Sequence, residues 1–253
     1  MTVHFALDSL ECRYDRHVAL RIDGLELQAG EVTAIVGPNG AGKSTLIRAL
    51  AGVLEPAEGD VRLQGVNLAR FAEKERARRI AYLPADSRLA WPMLAIRVVD
   101  LGRYPWLKPF SRASDEDEAA VADALDRAGA SALAGRPFNE LSSGEKARVL
   151  IARALATRAP ALLLDEPAAA LDPRHQIAVM EILRQEAARG VCVVFAGHSL
   201  ELVSRYADRV LVIDRGGVAA DGPPQAALGP DTLRQVFGLE TPGGIRPPDW
   251  RLA

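Results

Sequence analysis

The stretch VTAIVGPNGAGKSTLIRALAG, residues 32–52, constrains the fold of this chain more than any other segment. Its first five residues are apolar or β-branched and predict a buried strand, and KSTLIRALAG predicts a helix. Between them stands the pattern G-x-x-x-x-G-K-[ST], with Gly37, Gly42, Lys43 and Ser44 in its fixed places. A strand, a glycine loop and a helix in this order form a cradle for nucleotide phosphates. The glycines let backbone N–H groups turn inward and come close to phosphate oxygens. The helix adds free N–H groups and the positive end of its dipole. Lys43 supplies a mobile charge for the β- and γ-phosphates, and Ser44 offers a hard oxygen to Mg²⁺. The candidate nucleotide contacts are Gly37, Pro38, Asn39, Gly40, Ala41, Gly42, Lys43, Ser44 and Thr45.

The rest of the chain fits an α/β protein built around that cradle. Further strand-like runs are RIAYL (79–83), ALLLD (161–165), VCVVFA (191–196) and RVLVID (209–214). Most are continuously apolar, as strands buried on both faces are. Helix-like stretches lie between them, and the alternation predicts a mostly parallel sheet with flanking helices, preceded by an antiparallel β portion. Residues 86–158 break the rhythm with helices and no clear strand. They read as a helical sub-domain inserted in an ATP-binding core of residues 1–85 and 159–237. The tail, 238–253, is rich in Gly and Pro and reads as loosely ordered. EKERARR at 73–79 reads as a solvated helix face.

Composition excludes several function classes. The net charge of −2 gives no reason to expect nucleic acid as a partner. No apolar run is long enough to span a membrane, and the N-terminus lacks the pattern of a signal peptide. Cys12 and Cys192 stand far apart with no C-x-x-C, which speaks for buried packing in a cytoplasmic protein.

A second constellation lies at ALLLDEP, residues 161–167, where an apolar strand ends in Asp165 and Glu166. In proteins with this cradle, an acid at such a strand end reaches the Mg²⁺ shell. Alternation along the strand sends the two side chains apart. Asp165 can then serve the metal while Glu166 orients or deprotonates an attacking water.

NELSSGEKARVLIARALA, residues 139–156, makes the class specific. Leu141-Ser142-Ser143-Gly144-Glu145 resembles the LSGGQ signature of the ATP-binding cassette (ABC) ATPases. Ser143 stands where glycine is common, and Glu145 stands in the glutamine place. Ser142 and Glu145 also fit a capping box, which opens a helix at this point. The resemblance spans roughly residues 3–240. It implies that Ser142, Ser143, Gly144 and Glu145 bind the γ-phosphate of an ATP held by a second copy of the chain, so that a homodimer sandwiches two ATP–Mg²⁺. It implies that Tyr14 stacks on adenine, that Asp172 in Ala170-Leu171-Asp172 belongs to the D-loop, and that His198 contacts the γ-phosphate. Ala169 stands where the family has serine, and Ser199 where it has an acid. His4, His17 and His175 have no such context and read as structural.

The closest resemblance within the family is to the ATPases of importers for iron-siderophore, haem or cobalamin. It rests on Ala90-Trp91-Pro92, on Val98-Val99-Asp100-Leu101-Gly102-Arg103-Tyr104-Pro105 and on Ala220-Asp221-Gly222-Pro223-Pro224. It implies integral membrane permease subunits as partners, a substrate-binding protein as an indirect one, and a place on the inner face of the cell membrane. A soluble ABC-type ATPase without a permease is the alternative. Such proteins often carry a second cassette, a coiled coil or a basic surface, and this chain has none of these. A further departure from the family bears directly on the metal and the attacking water. Tyr82-Leu83-Pro84 is followed by Ala85, where the family has a glutamine that contacts Mg²⁺ and water. A methyl group can do neither. Three readings stand: water or Asp86 fills the gap in a slower ATPase, the chain binds ATP but couples poorly, or the loop aligns differently.

Overall fold

The computed structural model describes residues 2–87, 92–108, 112–241 and 245. Four N-terminal strands come first: β1 (Val3–Leu7), β2 (Leu10–Tyr14), β3 (His17–Ile22) and β4 (Leu25–Gln28). β5 (Val32–Val36) and α1 (Lys43–Leu50) frame the glycine loop. Three two-residue strands follow, β6 (Glu58–Gly59), β7 (Arg62–Leu63) and β8 (Val66–Asn67). Then come α2 (Glu73–Arg79) and β9 (Ile80–Leu83). The inserted helices are α3 (Ala95–Asp100), α4 (Asp115–Arg127) and α5 (Ser143–Ala156). The chain returns with β10 (Ala161–Asp165), α6 (Pro173–Ala188), β11 (Cys192–Ala196) and α7 (Leu200–Tyr206). It continues through β12 (Arg209–Asp214), β13 (Gly217–Gly222), α8 (Pro224–Ala227) and α9 (Pro230–Phe237).

The main sheet has the order β13-β12-β5-β11-β10-β9. Only the β12–β13 pair is antiparallel. The expected α/β class with a mostly parallel sheet is therefore what forms. Two small antiparallel sheets, β4-β1-β7-β8 and β3-β2-β6, make the N-terminal β portion. The continuous apolar runs follow from burial on both faces of the main sheet. On β5, Val32, Ala34 and Val36 join one core cluster while Ile35 joins the other, beneath α1. On β10, Leu162 and Leu164 face the first cluster, and Ala161 and Leu163 the second.

The inserted helices pack on one another and on β9 through Val98, Val99, Val121, Leu125, Val149 and Ile151. Arg103 is 5% exposed. It donates to Asp117 at 2.8 Å and to the Ala156 carbonyl at 2.9 Å, tying the segment after α3 to α4 and to the end of α5. The helix at 73–79 buries no residue fully, yet it is more than a solvated face. Arg78 lies over the Trp106 ring at 4.9 Å, Arg79 over Phe71 at 4.8 Å, and the Arg76 side chain covers Gly52. Both cysteines are buried free thiols, with burial pushing Cys192 up to about 12. No helix among the described residues is long and apolar enough to cross a membrane. Ala90 and Trp91, used above for the importer resemblance, lie outside the described residues, as does most of the 238–253 tail. Within that tail, Ile245 packs against the core.

Candidate functional site

The carboxyl ends of β5, β9, β10 and β11 share one edge of the sheet, and the residues that follow these strands carry the candidate chemistry. In open α/β sheets that edge is where ligands bind. After β5 the backbone turns through Gly37 (φ 153), Gly40 (φ 78) and Gly42 (φ 112). A Cβ on Gly37 would stand 2.0 Å from the Ile213 carbonyl oxygen, so the loop closes only with glycine there. Gly40 has open space around it but a left-handed φ, which side chains resist. α1 then starts at Gly42 with no side-chain cap and no acid in its first turn. Its leading N–H groups are unclaimed donors, which is what an anion site needs. Pro38 is half-buried, Asn39 is exposed, and Ala41 and Thr45 are buried in the cradle walls.

Lys43 is 5% exposed. Its ammonium donates to the carbonyls of Gly37 at 2.9 Å and Pro38 at 3.0 Å, holding the side chain back over the loop. Burial lowers its pKa, and the charges of Glu166 and Asp165 oppose that effect. Ser44 Oγ donates to Asp165 Oδ1 at 2.9 Å. Asp165 is 1% exposed, and its Oδ2 is buried without a hydrogen-bond partner. Burial pushes this carboxyl up, while the Ser44 bond pulls it down. A buried carboxylate with one unsatisfied oxygen beside a serine hydroxyl is a donor set that suits a hard dication. The residues present therefore fit Mg²⁺.

Asp165 and Glu166 do diverge, but not by strand alternation. β10 ends at Asp165, and Glu166 takes a left-handed conformation with φ 54. A non-glycine residue held there is strained, and such strain gathers at functional sites. The turn brings Glu166 Oε1 within 2.6 Å of His198 Nε2, from the loop after β11. Lys43, Ser44, Asp165, Glu166 and His198 thus form one group. Tyr14 ends β2, is 43% exposed and accepts a 3.4 Å hydrogen bond from Arg48 of α1.

The remaining candidates form a second group. The Glu145 N–H donates to Ser142 Oγ at 3.3 Å, and the Ser142 N–H donates to Glu145 Oε2 at 2.9 Å, completing the capping box of α5. Arg136 donates to Glu145 Oε1 at 2.8 Å. The Ser142 backbone N–H is the chief cause holding the Glu145 carboxyl below its ordinary range. Ser142 and Ser143 are exposed, while Gly144 is buried. Asp172 caps α6, accepting from the His175 N–H at 3.1 Å. Among the described residues, no hydrogen bond or ion pair joins Ser142, Ser143, Glu145 or Asp172 to the cradle. Between the groups opens a cleft of 780 Å³, lined by Ala85, Asp86, Ser143, Lys146, Asp165 and Glu166 among others.

The His175 ring lies flush against Gly144, a packing contact in keeping with a structural role. Arg48 of α1, which no motif in the sequence marks, stands beside Tyr14. Neither has a local signal, because each contact joins segments far apart in the chain.

Residues 20–169 match the ABC transporter family. The chain is 49% identical to a hemin import ATP-binding protein of Streptomyces coelicolor, over 85% of this chain and 77% of that protein. It is 43% identical to one from Pseudomonas fluorescens, over 92% and 91%. A cobalamin import ATP-binding protein of Halobacterium salinarum is 41% identical, over 87% of this chain and 55% of its own length. The fold is similar to cbiO1 of Clostridium perfringens, part of an ABC transporter complex, with TM-score 0.80, 29% identity and coverage of 92% and 93%. It is also similar to a dimeric bacterial ABC transporter cassette, with TM-score 0.77, 26% identity and coverage of 87% and 98%.

Proposed function

Because the chain belongs to the ABC transporter family and is an ATPase of that family, we propose that it drives an importer for haem or a related metal chelate. It works as a head-to-tail homodimer that sandwiches two ATP molecules and pushes on a membrane permease from the cytoplasmic face. A substrate-binding protein delivers the cargo to that permease. The observation that carries the reading is the group of Lys43, Ser44, Asp165, Glu166 and His198 on one sheet edge, with a second, exposed helix terminus carried separately at Ser142. One chain has both kinds of phosphate-binding element but does not join them. A second copy completes the site.

In this reading the α1 terminus and Gly37–Gly42 wrap the phosphates, and Lys43 leaves the loop carbonyls for the β- and γ-oxygens. Ser44 and Asp165 would hold Mg²⁺, which when bound neutralises charge on the β- and γ-phosphates. Glu166 orients the water and takes its proton, while His198 fixes the Glu166 carboxylate through Oε1 and meets the γ-phosphate. The partner's Ser142–Glu145 turn stabilises the charge that develops at phosphorus. Tyr14 stacks on adenine, and Asp172 meets the other copy.

Permease docking is supported by a groove of 400 Å³ beside α2 and α5, lined by Val53, Leu101, Arg76 and Arg153 among others. Val53 is 64% exposed and Leu101 44%, and the exposed Tyr104 and Trp106 flank the lining residue Pro105 in the chain. Exposed apolar residues gathered around a groove mark an interaction site. The haem assignment is supported by the hemin import relatives at 49% and 43% identity.

Two measurements test the reading. Glu166→Gln should keep ATP binding, stop turnover and trap an ATP-bound dimer visible by size-exclusion chromatography; normal phosphate release would refute the role of Glu166. Purification from native membranes should recover a many-spanning permease at equal stoichiometry. Recovery of the chain alone would favour a permease-free ATPase.

A further inference from the structure

We propose that His175 is a positioning residue that fixes the exposed terminus of α5 against the Asp172 loop, so that both surfaces a chain offers its partner move as one body. The inference rests on the head-to-tail dimer proposed above.

Gly144 sits in the first turn of α5 and is buried. Its φ is not positive, so its backbone does not require glycine. Glycine inside a helix weakens it, so another cause is needed. The cause is the His175 ring. A Cβ on Gly144 would stand 2.3 Å from Cγ and Cδ2 of His175 and 2.7 Å from Nδ1, closer than real atoms come. The imidazole occupies the space of that missing side chain and sets how near α5 approaches α6.

The ring itself is held. Nδ1 lies 2.9 Å from both carboxylate oxygens of Asp172, and the His175 N–H binds the same carboxylate at 3.1 Å. These bonds keep the Asp172 carboxyl below its ordinary range, the backbone N–H first and the ring second. Asp172 follows the strained residues Glu166 (φ 54) and Ala170 (φ 57). A continuous path therefore runs from the Glu166 turn through Asp172 and the imidazole to Gly144, whose helix terminus would meet the γ-phosphate bound by the partner. Such a terminus works only if held to a fraction of an ångström.

The test measures the ATP concentration that half-assembles the dimer in the Glu166→Gln chain, by light scattering, with His175→Ala, His175→Asn and His175→Phe added. Binding of a fluorescent ATP analogue to the monomer and the thermal midpoint are followed in parallel. His175→Ala is expected to raise the half-assembly concentration about ten- to hundredfold, the cost of a misplacement near 1 Å. The monomer's nucleotide affinity should not move, because the cradle is elsewhere. His175→Phe keeps a ring over Gly144 and should recover most of the assembly; His175→Asn keeps only a bond to Asp172 and should not. Assembly of the alanine variant at the parent's ATP concentration would overturn the proposal. Loss of monomer nucleotide binding in the alanine and phenylalanine variants alike would overturn it too, by showing a role in folding. If the Glu166→Gln parent does not assemble with ATP, the dimer reading fails first and takes this inference with it.

Discussion

Two helix termini in this chain are built in opposite ways. α1 starts at a left-handed glycine, with no side-chain cap, no acid in its first turn and a buried lysine. α5 starts with a complete capping box, an acid at its third position and an arginine holding that acid. Four N–H groups at each start have no helical partner. At α1 no side chain caps them, and the glycine loop and Lys43 shape the space around them. At α5 the Glu145 N–H is already satisfied by Ser142, which lets the terminus stand exposed and stable without a ligand. A terminus that leaves its donors open can offer them to water or to an anion. A terminus that caps itself can be carried on the surface and offered to something else. That difference supports the proposal that the α5 terminus serves a site completed by a second copy.

The largest break in the comparison should come at α1. Lys43→Ala removes the charge that the cradle is built to deliver, and ATPase activity should fall by about 10²–10³ or more. Nucleotide affinity of the monomer should fall with it, as measured by fluorescence titration. Ser142→Ala attacks the other terminus. It should cost about 1 kcal/mol of stability, as cap removal does, lower turnover, and leave monomer nucleotide affinity unchanged. Equal effects of the two variants on monomer affinity would erase the distinction.

The support of α5 can be probed by acid. The Ser114 N–H and hydroxyl, with Arg103, hold the Asp117 carboxyl down at about 2. An unfolded aspartate titrates at about 3.9. Because the folded value is the lower one, this carboxylate stabilises the fold above the unfolded value, and the contribution fades as pH falls toward about 2. Asp117→Asn should lower the thermal midpoint at neutral pH, and the gap to the parent should close as pH drops through that window.

The smallest effect is expected in the cleft between the two groups. Ala85 lines it beside Asp86, Lys146 and Glu166. Ala85→Gln would add one amide able to hold water there. We expect a gain in turnover under about tenfold, the worth of one hydrogen bond. No gain in rate or Mg²⁺ affinity would overturn both the slower-ATPase and the poor-coupling readings of Ala85.

The sequence by itself determined the parts that adjoining residues encode. The cradle is one continuous run, so strand, glycine loop and helix were readable together, as were the α5 box and the acidic end of β10. The mostly parallel sheet was readable because burial on both faces leaves continuous apolar runs. Tertiary structure decided what depends on residues far apart in the chain. It set the left-handed turn at Glu166 where strand alternation had been expected, the bond from Glu166 to His198, the unsatisfied Asp165 Oδ2, and the His175 ring against Gly144. A histidine three residues into a helix looks the same in sequence whether it faces solvent or a glycine of another helix. Local patterns fix backbone conformation because neighbours in the chain share hydrogen bonds and steric limits. Which side chains then meet is fixed only when the helices pack.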